Sequence, residues 1–201
     1  VETSWQKGLT WWDRQRPKSR TVHRHPHGVT IHDGVLADPE AYRAMALAQR
    51  FQAVHDGVVT FQRMAPCADP ALPMWIARTY PTLTPTLSFF RQGALDQPEP
   101  HFIHTDASMG TWTGLLYLTP DPPADDGTSF WRKRMTGAVG SLEATATEAA
   151  SWFEKAAWSH WLTVHAKFNR LVVFPAELYH SRAIERNYGQ GDEARLLQIV
   201  F

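Results

Sequence analysis

From residue 85 onward, apolar positions alternate in short runs broken by turn residues, the signature of half-buried strands. The runs at 85–92, 101–106, 111–119, 127–133, 161–167, 170–175, 179–184 and 194–201 read as strands. Asp121-Pro122-Pro123 and Asp125-Asp126-Gly127 supply the turn into the 127–133 run. Upstream, 29–36 alternates enough for a first strand. Helical signals occur in three places. Asp38-Pro39-Glu40 joins an N-cap, a Pro suited to the first turn and an acid at the positive end of the dipole, which predicts a helix to about Phe51. Asp69-Pro70 opens a shorter one through Trp75 and Ile76. Ser141 opens the third, to about Trp158, with an apolar stripe of Leu142, Ala146, Ala149, Phe153 and Ala157. Inserted between strands, this helix is either a lid or a brace. Many strands with few helices predict a mainly β fold with flanking helices on the outer face of a sheet, built as a double-sheet jelly roll.

Residues 1–28 follow another pattern. Trp5, Trp11 and Trp12 stand among Lys7, Arg14, Arg16, Lys18 and Arg20. This reads as an N-terminal arm whose indoles dock on the body (29–201) and whose basic residues form a solvated face. His23, His25 and His27 alternate, so an extended chain puts them on one face. No carboxylate accompanies them at ligand spacing, which favours a polar edge over a second metal site.

Composition narrows the field. A chain of 201 residues is most simply one domain with a sizeable core. Twenty basic and twenty acidic residues cancel, so the broad positive field of a nucleic-acid-binding protein is missing. One cysteine, Cys67, excludes an internal disulfide and fits a reducing cytoplasm. No apolar run approaches a membrane span, and the first residues show no apolar signal core. The expected location is cytoplasmic, without a membrane partner. Oligomeric state is not legible in the sequence.

The chemistry centres on His104-Thr105-Asp106. On a strand, residues two apart point the same way, so both side chains can reach one ion. Two His and one carboxylate form a facial triad that leaves positions open on Fe(II). His180, after the apolar run 171–175, is the candidate third ligand. A bidentate 2-oxo acid fills two open positions and O2 the last. Fe(II) and Asp106 then leave about one positive charge, so the far carboxylate of a diacid needs its own cation. Arg195, opening the last apolar run, has a fork that matches it. Tyr117 shares a strand face with Thr113, Leu115 and Thr119 and can donate to the same carboxylate. Each residue has a plainer role open to it: a structural histidine, an edge salt bridge, a packed tyrosine. Arg182 and Trp131 are candidates for the substrate side, with solvent and core as their respective alternatives.

These motifs resemble the Fe(II)- and 2-oxoglutarate-dependent dioxygenases, in particular the prolyl-4-hydroxylase-like branch. His104-Thr105-Asp106, Leu116-Tyr117-Leu118, Gly127-Thr128-Ser129-Phe130, the 169–175 run before His180, and Arg195 occur in the family's order over 85–201. Gly110-Thr111-Trp112-Thr113 and Asn187-Tyr188-Gly189 resemble a small bacterial and phage subgroup. The resemblance implies a double-stranded β-helix, cupin-like in shape. It implies iron on His104, Asp106 and His180, with the distal carboxylate of 2-oxoglutarate on Arg195 and Tyr117. It also implies O2-dependent hydroxylation of an unactivated C–H, with release of succinate and CO2. Two departures stand out: Leu197 replaces a small hydroxyl residue two after the Arg, and the stretch from His180 to Arg195 is long.

The expected substrate is a small molecule or amino-acid-like compound, with the Trp-rich arm and the 53–84 loop closing over it. Other readings are an inactive jelly-roll scaffold, a cupin-like metalloenzyme without an oxo acid, and a hydroxylase of protein or nucleic acid.

Overall fold

The computed structural model describes residues 21–55, 60–97, 102–143 and 153–201. Among them, eleven strands form two sheets. The larger has eight strands in the order β1-β2-β9-β6-β11-β5-β4-β3, and the smaller three, β10-β7-β8. The strands are β1 Thr21–Arg24, β2 Thr30–Asp33, β3 Gln52–His55, β4 Thr60–Pro66, β5 Ser88–Gly93, β6 Trp112–Tyr117, β7 Gly127–Lys133, β8 Trp158–His165, β9 Arg170–Pro175, β10 His180–Arg182 and β11 Arg195–Val200. All paired strands are antiparallel. Helices α1 Pro39–Leu47 and α2 Ala71–Thr79 lie between strands of the larger sheet in sequence. This is the predicted jelly roll.

Period-two alternation decides where each side chain goes. On β6, β9 and β11, Leu115, Tyr117, Val172, Phe174, Leu197 and Ile199 point one way. They meet Phe130 and Val164 of the small sheet in a core between the sheets. Leu116, Leu171, Val173, Leu196 and Val200 point the other way, onto Tyr42, Ala46, Leu72 and Ile76 of the helices. A third cluster joins Ile103, Trp131, Trp158 and Tyr179. Asp38 caps α1, its carboxylate accepting from the Ala41 N–H, with Pro39 in the first turn, as the sequence signals.

Several expectations need correction. The 101–106 run is no strand: its described part makes an isolated bridge, His104 with His180, and no ladder. The 53–84 loop, expected to hold the Asp69-Pro70 helix (α2), also contains β4 and most of β3, and β3 is exposed along its length, so it carries no alternation. Of the predicted 141–158 helix, residues 144–152 lie outside the described residues. At its described C-terminal end, Lys155–Ala157 is a single 3-10 turn and Trp158 already opens β8. The indoles of the 1–28 arm, Trp5, Trp11 and Trp12, also lie outside. The described end of that arm forms β1, an edge strand on β2. His27 has a positive φ and its ring meets Trp161 edge-on at 5.1 Å. Among the described residues, no helix is long and apolar enough to cross a membrane.

Candidate metal centre

Local backbone pairing builds the site. The His104 N–H donates to the His180 carbonyl at 3.0 Å, and the His180 N–H returns the bond at 2.9 Å. This ties the His-x-Asp segment to the start of β10. Asp106 is fixed next, its N–H donating to the Ala176 carbonyl at 2.8 Å. The three side chains converge. Asp106 Oδ1 lies 3.6 Å from His104 Nε2, and Oδ2 lies 3.2 Å from His180 Nε2. One donor atom from each falls within 4.8 Å of the others. Neighbouring ligands on an octahedral ion with bonds of about 2.1 Å sit about 3 Å apart, so the set matches one divalent cation.

The outer partners aim these donors. His180 Nδ1 is 2.9 Å from the Leu178 carbonyl, an acceptor only, so Nδ1 carries the proton and Nε2 is left for a metal. His104 Nδ1 faces the Phe102 carbonyl at 3.4 Å. Thr113, inward on β6, donates its hydroxyl to Asp106 Oδ2 at 2.9 Å. Phe102 stacks on His104 at 4.3 Å, and Phe174 meets His180 edge-on at 4.8 Å. Burial, with His180 alongside, holds the His104 imidazole down to about 3. Burial pushes Asp106 upward, but the imidazoles of His180 and His104 and the Thr113 hydroxyl together outweigh it, and the carboxyl ends near 2. For His180 burial works downward and the Asp106 carboxylate prevails, raising it. The result is an anionic oxygen donor flanked by two imidazoles, one of them readily neutral, which is a donor set for a borderline divalent metal.

The remaining sequence candidates fall in different places. Arg195 is buried and shares the inward face of β11 with Leu197, which pairs with Tyr117. Its Nε donates to Asp126 at 2.8 and 3.1 Å, and one terminal amino group reaches the Gly127 carbonyl at 3.3 Å. Tyr117 is fully buried, its hydroxyl 2.6 Å from Thr128 Oγ1, and burial pushes it up to about 12. Arg182 pairs in register with Thr128 and donates to Asn187 Oδ1 at 2.6 Å and the Glu185 carbonyl at 2.9 Å. Trp131 packs in the third cluster and donates its indole N–H to Ser181 at 2.9 Å.

Sequence reasoning passed over Asp126 and Tyr188. Asp-Gly at 126–127 reads as turn chemistry. In the structure Gly127 is needed for another reason: its φ is +154°, and a Cβ there would meet the Val164 carbonyl oxygen at 2.2 Å. The signal that could have singled out Asp126 is a carboxylate opening an apolar strand, the same signal that drew attention to Arg195.

A family model described as a family of unknown function (DUF6445) matches residues 92–196. No curated protein matches the chain. HygX from Streptomyces hygroscopicus, with nickel, 2-oxoglutarate and hygromycin B bound, superposes with a TM-score of 0.56 over 99% of this chain and 86% of that one, at 15% identity. The non-heme alpha ketoglutarate dependent epimerase SnoN from nogalamycin biosynthesis gives 0.54 over 96% and 82%, also at 15% identity. The carbocyclase SnoK from the same biosynthesis gives 0.52 over 87% and 78%, at 14% identity. At these identities the likeness establishes a shared fold.

Proposed function

The chain belongs to the DUF6445 family, whose function is unknown, and we propose that it is an Fe(II)- and 2-oxoglutarate-dependent oxygenase. The observation that carries this reading is the convergence of His104, Asp106 and His180 from separate segments onto one small volume. Support comes from structural neighbours that hold the same groups: HygX with nickel and 2-oxoglutarate, and SnoN with Fe3+ and alpha ketoglutarate. In this reading the three side chains hold iron. Bound there, iron with 2-oxoglutarate and O2 supplies the oxidising power for an unactivated C–H, with succinate and CO2 released.

The chain's own residues do the rest. Asp106 contributes the anionic oxygen and Thr113 keeps it aimed. The rings of Phe102, Phe174 and Phe130 surround the imidazoles and exclude water from their flanks. Arg195, on the same inward face as Leu197 beside Tyr117, takes the far carboxylate of 2-oxoglutarate. The substrate is a small molecule or amino-acid-like compound, and its hydroxylation, like the prolyl-4-hydroxylase-like affinity, rests on motif order alone.

The test is anaerobic titration with Fe(II) and 2-oxoglutarate, following the weak visible charge-transfer band. Wild-type protein is expected to develop the band, and His180→Ala to lose it while keeping its fold. A folded wild-type protein without the band would sink the oxygenase reading in favour of a jelly-roll scaffold.

A further inference from the structure

We propose that Asp126 is the positioning residue of the co-substrate pocket: it grips Arg195 by the Nε edge and cancels its charge, leaving the far-carboxylate subsite neutral overall. This rests on the oxygenase reading above and extends it to a residue that neither the motif nor the fold assigns.

The carboxylate of Asp126 is 1% exposed and the Arg195 side chain 8%, so their pairing is shielded from solvent ions. Asp126 is saturated by the protein. Oδ1 accepts from Arg195 Nε at 2.8 Å and from the Gly127 N–H at 2.7 Å. Oδ2 accepts from the Tyr188 hydroxyl at 2.8 Å and from Arg195 Nε at 3.1 Å. The Gly127 carbonyl takes a terminal N–H on the same side of the guanidinium. A guanidinium has five donors, and this clamp uses only its Nε side. The amino groups at the end of the fork are therefore the ones turned to a ligand. Arg182, on the same face of β10 as His180, directs two donors to Asn187 and the Glu185 carbonyl.

The electrostatic consequence follows from counting charges. Iron, Asp106, Arg195 and Asp126 together carry one positive charge against the two negative charges of 2-oxoglutarate. Without the Asp126 carboxylate the two sides would balance. Asp126 thus gives up affinity for a diacid in exchange for an Arg195 that stays paired and aligned when the pocket is empty. It leaves a monoacid, whose single carboxylate sits at the metal, untouched.

Asp126→Asn keeps the shape and removes the charge. The measured quantity is the diacid preference, the dissociation constant for 2-oxopentanoate divided by that for 2-oxoglutarate; 2-oxopentanoate has the same chain length without the far carboxylate. Both are titrated anaerobically with Fe(II). The preference for the diacid should rise by about tenfold or more in the variant, the size expected for one nearby charge in a partly screened interior. A parallel melting curve without metal should show the variant less stable than wild type, with 2-oxoglutarate and Fe(II) restoring more of the loss than 2-oxopentanoate and Fe(II). A purely structural Asp126 would lower the melting temperature and leave the ratio fixed, which overturns the proposal, as does a fall in the ratio. Should Asp126→Asn fail to fold, Tyr188→Phe is the second variant. Stripping one donor from Asp126 concentrates its charge on Arg195, and the diacid preference should drop about two- to threefold. No change there overturns the proposal too. If wild-type protein binds neither acid with Fe(II), the oxygenase reading fails along with it; if wild type binds and the ratio does not rise, this inference alone fails.

Discussion

Thr113 donates to the Asp106 oxygen that faces His180, so a residue of a strand buried along its whole length, β6, steers a candidate ligand that sits on irregular chain. Outer partners of this kind change metal affinity by about 10- to 100-fold. Thr113→Val should therefore weaken Fe(II) or Co(II) binding about tenfold, read by titration. The fold should lose only about 1 kcal/mol, the size of one hydrogen bond. A metal affinity within twofold of wild type would show that Asp106 is oriented by its backbone alone. The three candidate donors could be picked out in the sequence, because His104 and Asp106 are two apart and His180 follows a strong apolar run. Their convergence could not, since it depends on the bridge between two segments far apart in the chain. Asp126 was not legible either: beside a glycine, a carboxylate looks like a turn whatever else it holds.

Among the elements, β6, β7, β9 and β11 were readable because they are buried nearly throughout and carry long apolar runs. β1 and β3 were missed because edge strands that bury little need no such pattern. The junction of β2 with β9 shows what the pattern cannot carry. Asp33 and Arg170 pair in register, and Arg170 Nε and one terminal amino group donate to the two Asp33 oxygens at 2.7 and 3.0 Å. Lys167 adds a third bond at 2.8 Å. The bond from Arg170 above all, working against burial, holds the Asp33 carboxyl down near 2. A folded-state value below the unfolded value of about 3.9 means the folded state binds the proton less readily. The contribution is complete above about pH 4 and is lost as pH falls toward 2. Asp33→Asn should lower stability at pH 7 by about 1 kcal/mol after allowance for the partly exposed lysine. It should also flatten the acid limb between pH 4 and 2. Urea melts across that range test this, and parallel acid limbs in the two proteins would show that the pair contributes nothing.

At the scale of the molecule, one sheet separates two cores. Leu115 and Tyr117 of β6 face the space between the sheets, where Thr113 meets Asp106, while Leu116 faces the helices. The candidate site and the helix-side core thus lie on opposite faces of the same strands. Leu72 on α2 is fully buried in that outer core. Leu72→Ala should cost about 2–5 kcal/mol through lost transfer energy and the cavity left behind. Because the sheet lies between it and the candidate ligands, Fe(II) affinity in the folded protein should stay within about twofold. Combined with Thr113→Val, the stability losses should add to within about 0.5 kcal/mol, as they do for sites that share no partners. Denaturant melts of both single variants and the double variant, with metal titrations on each, make the comparison. An interaction energy well above 0.5 kcal/mol, or a metal affinity that falls with Leu72→Ala, would mean that the sheet transmits strain from the helix layer to the ligands, and that the two faces are one mechanical unit.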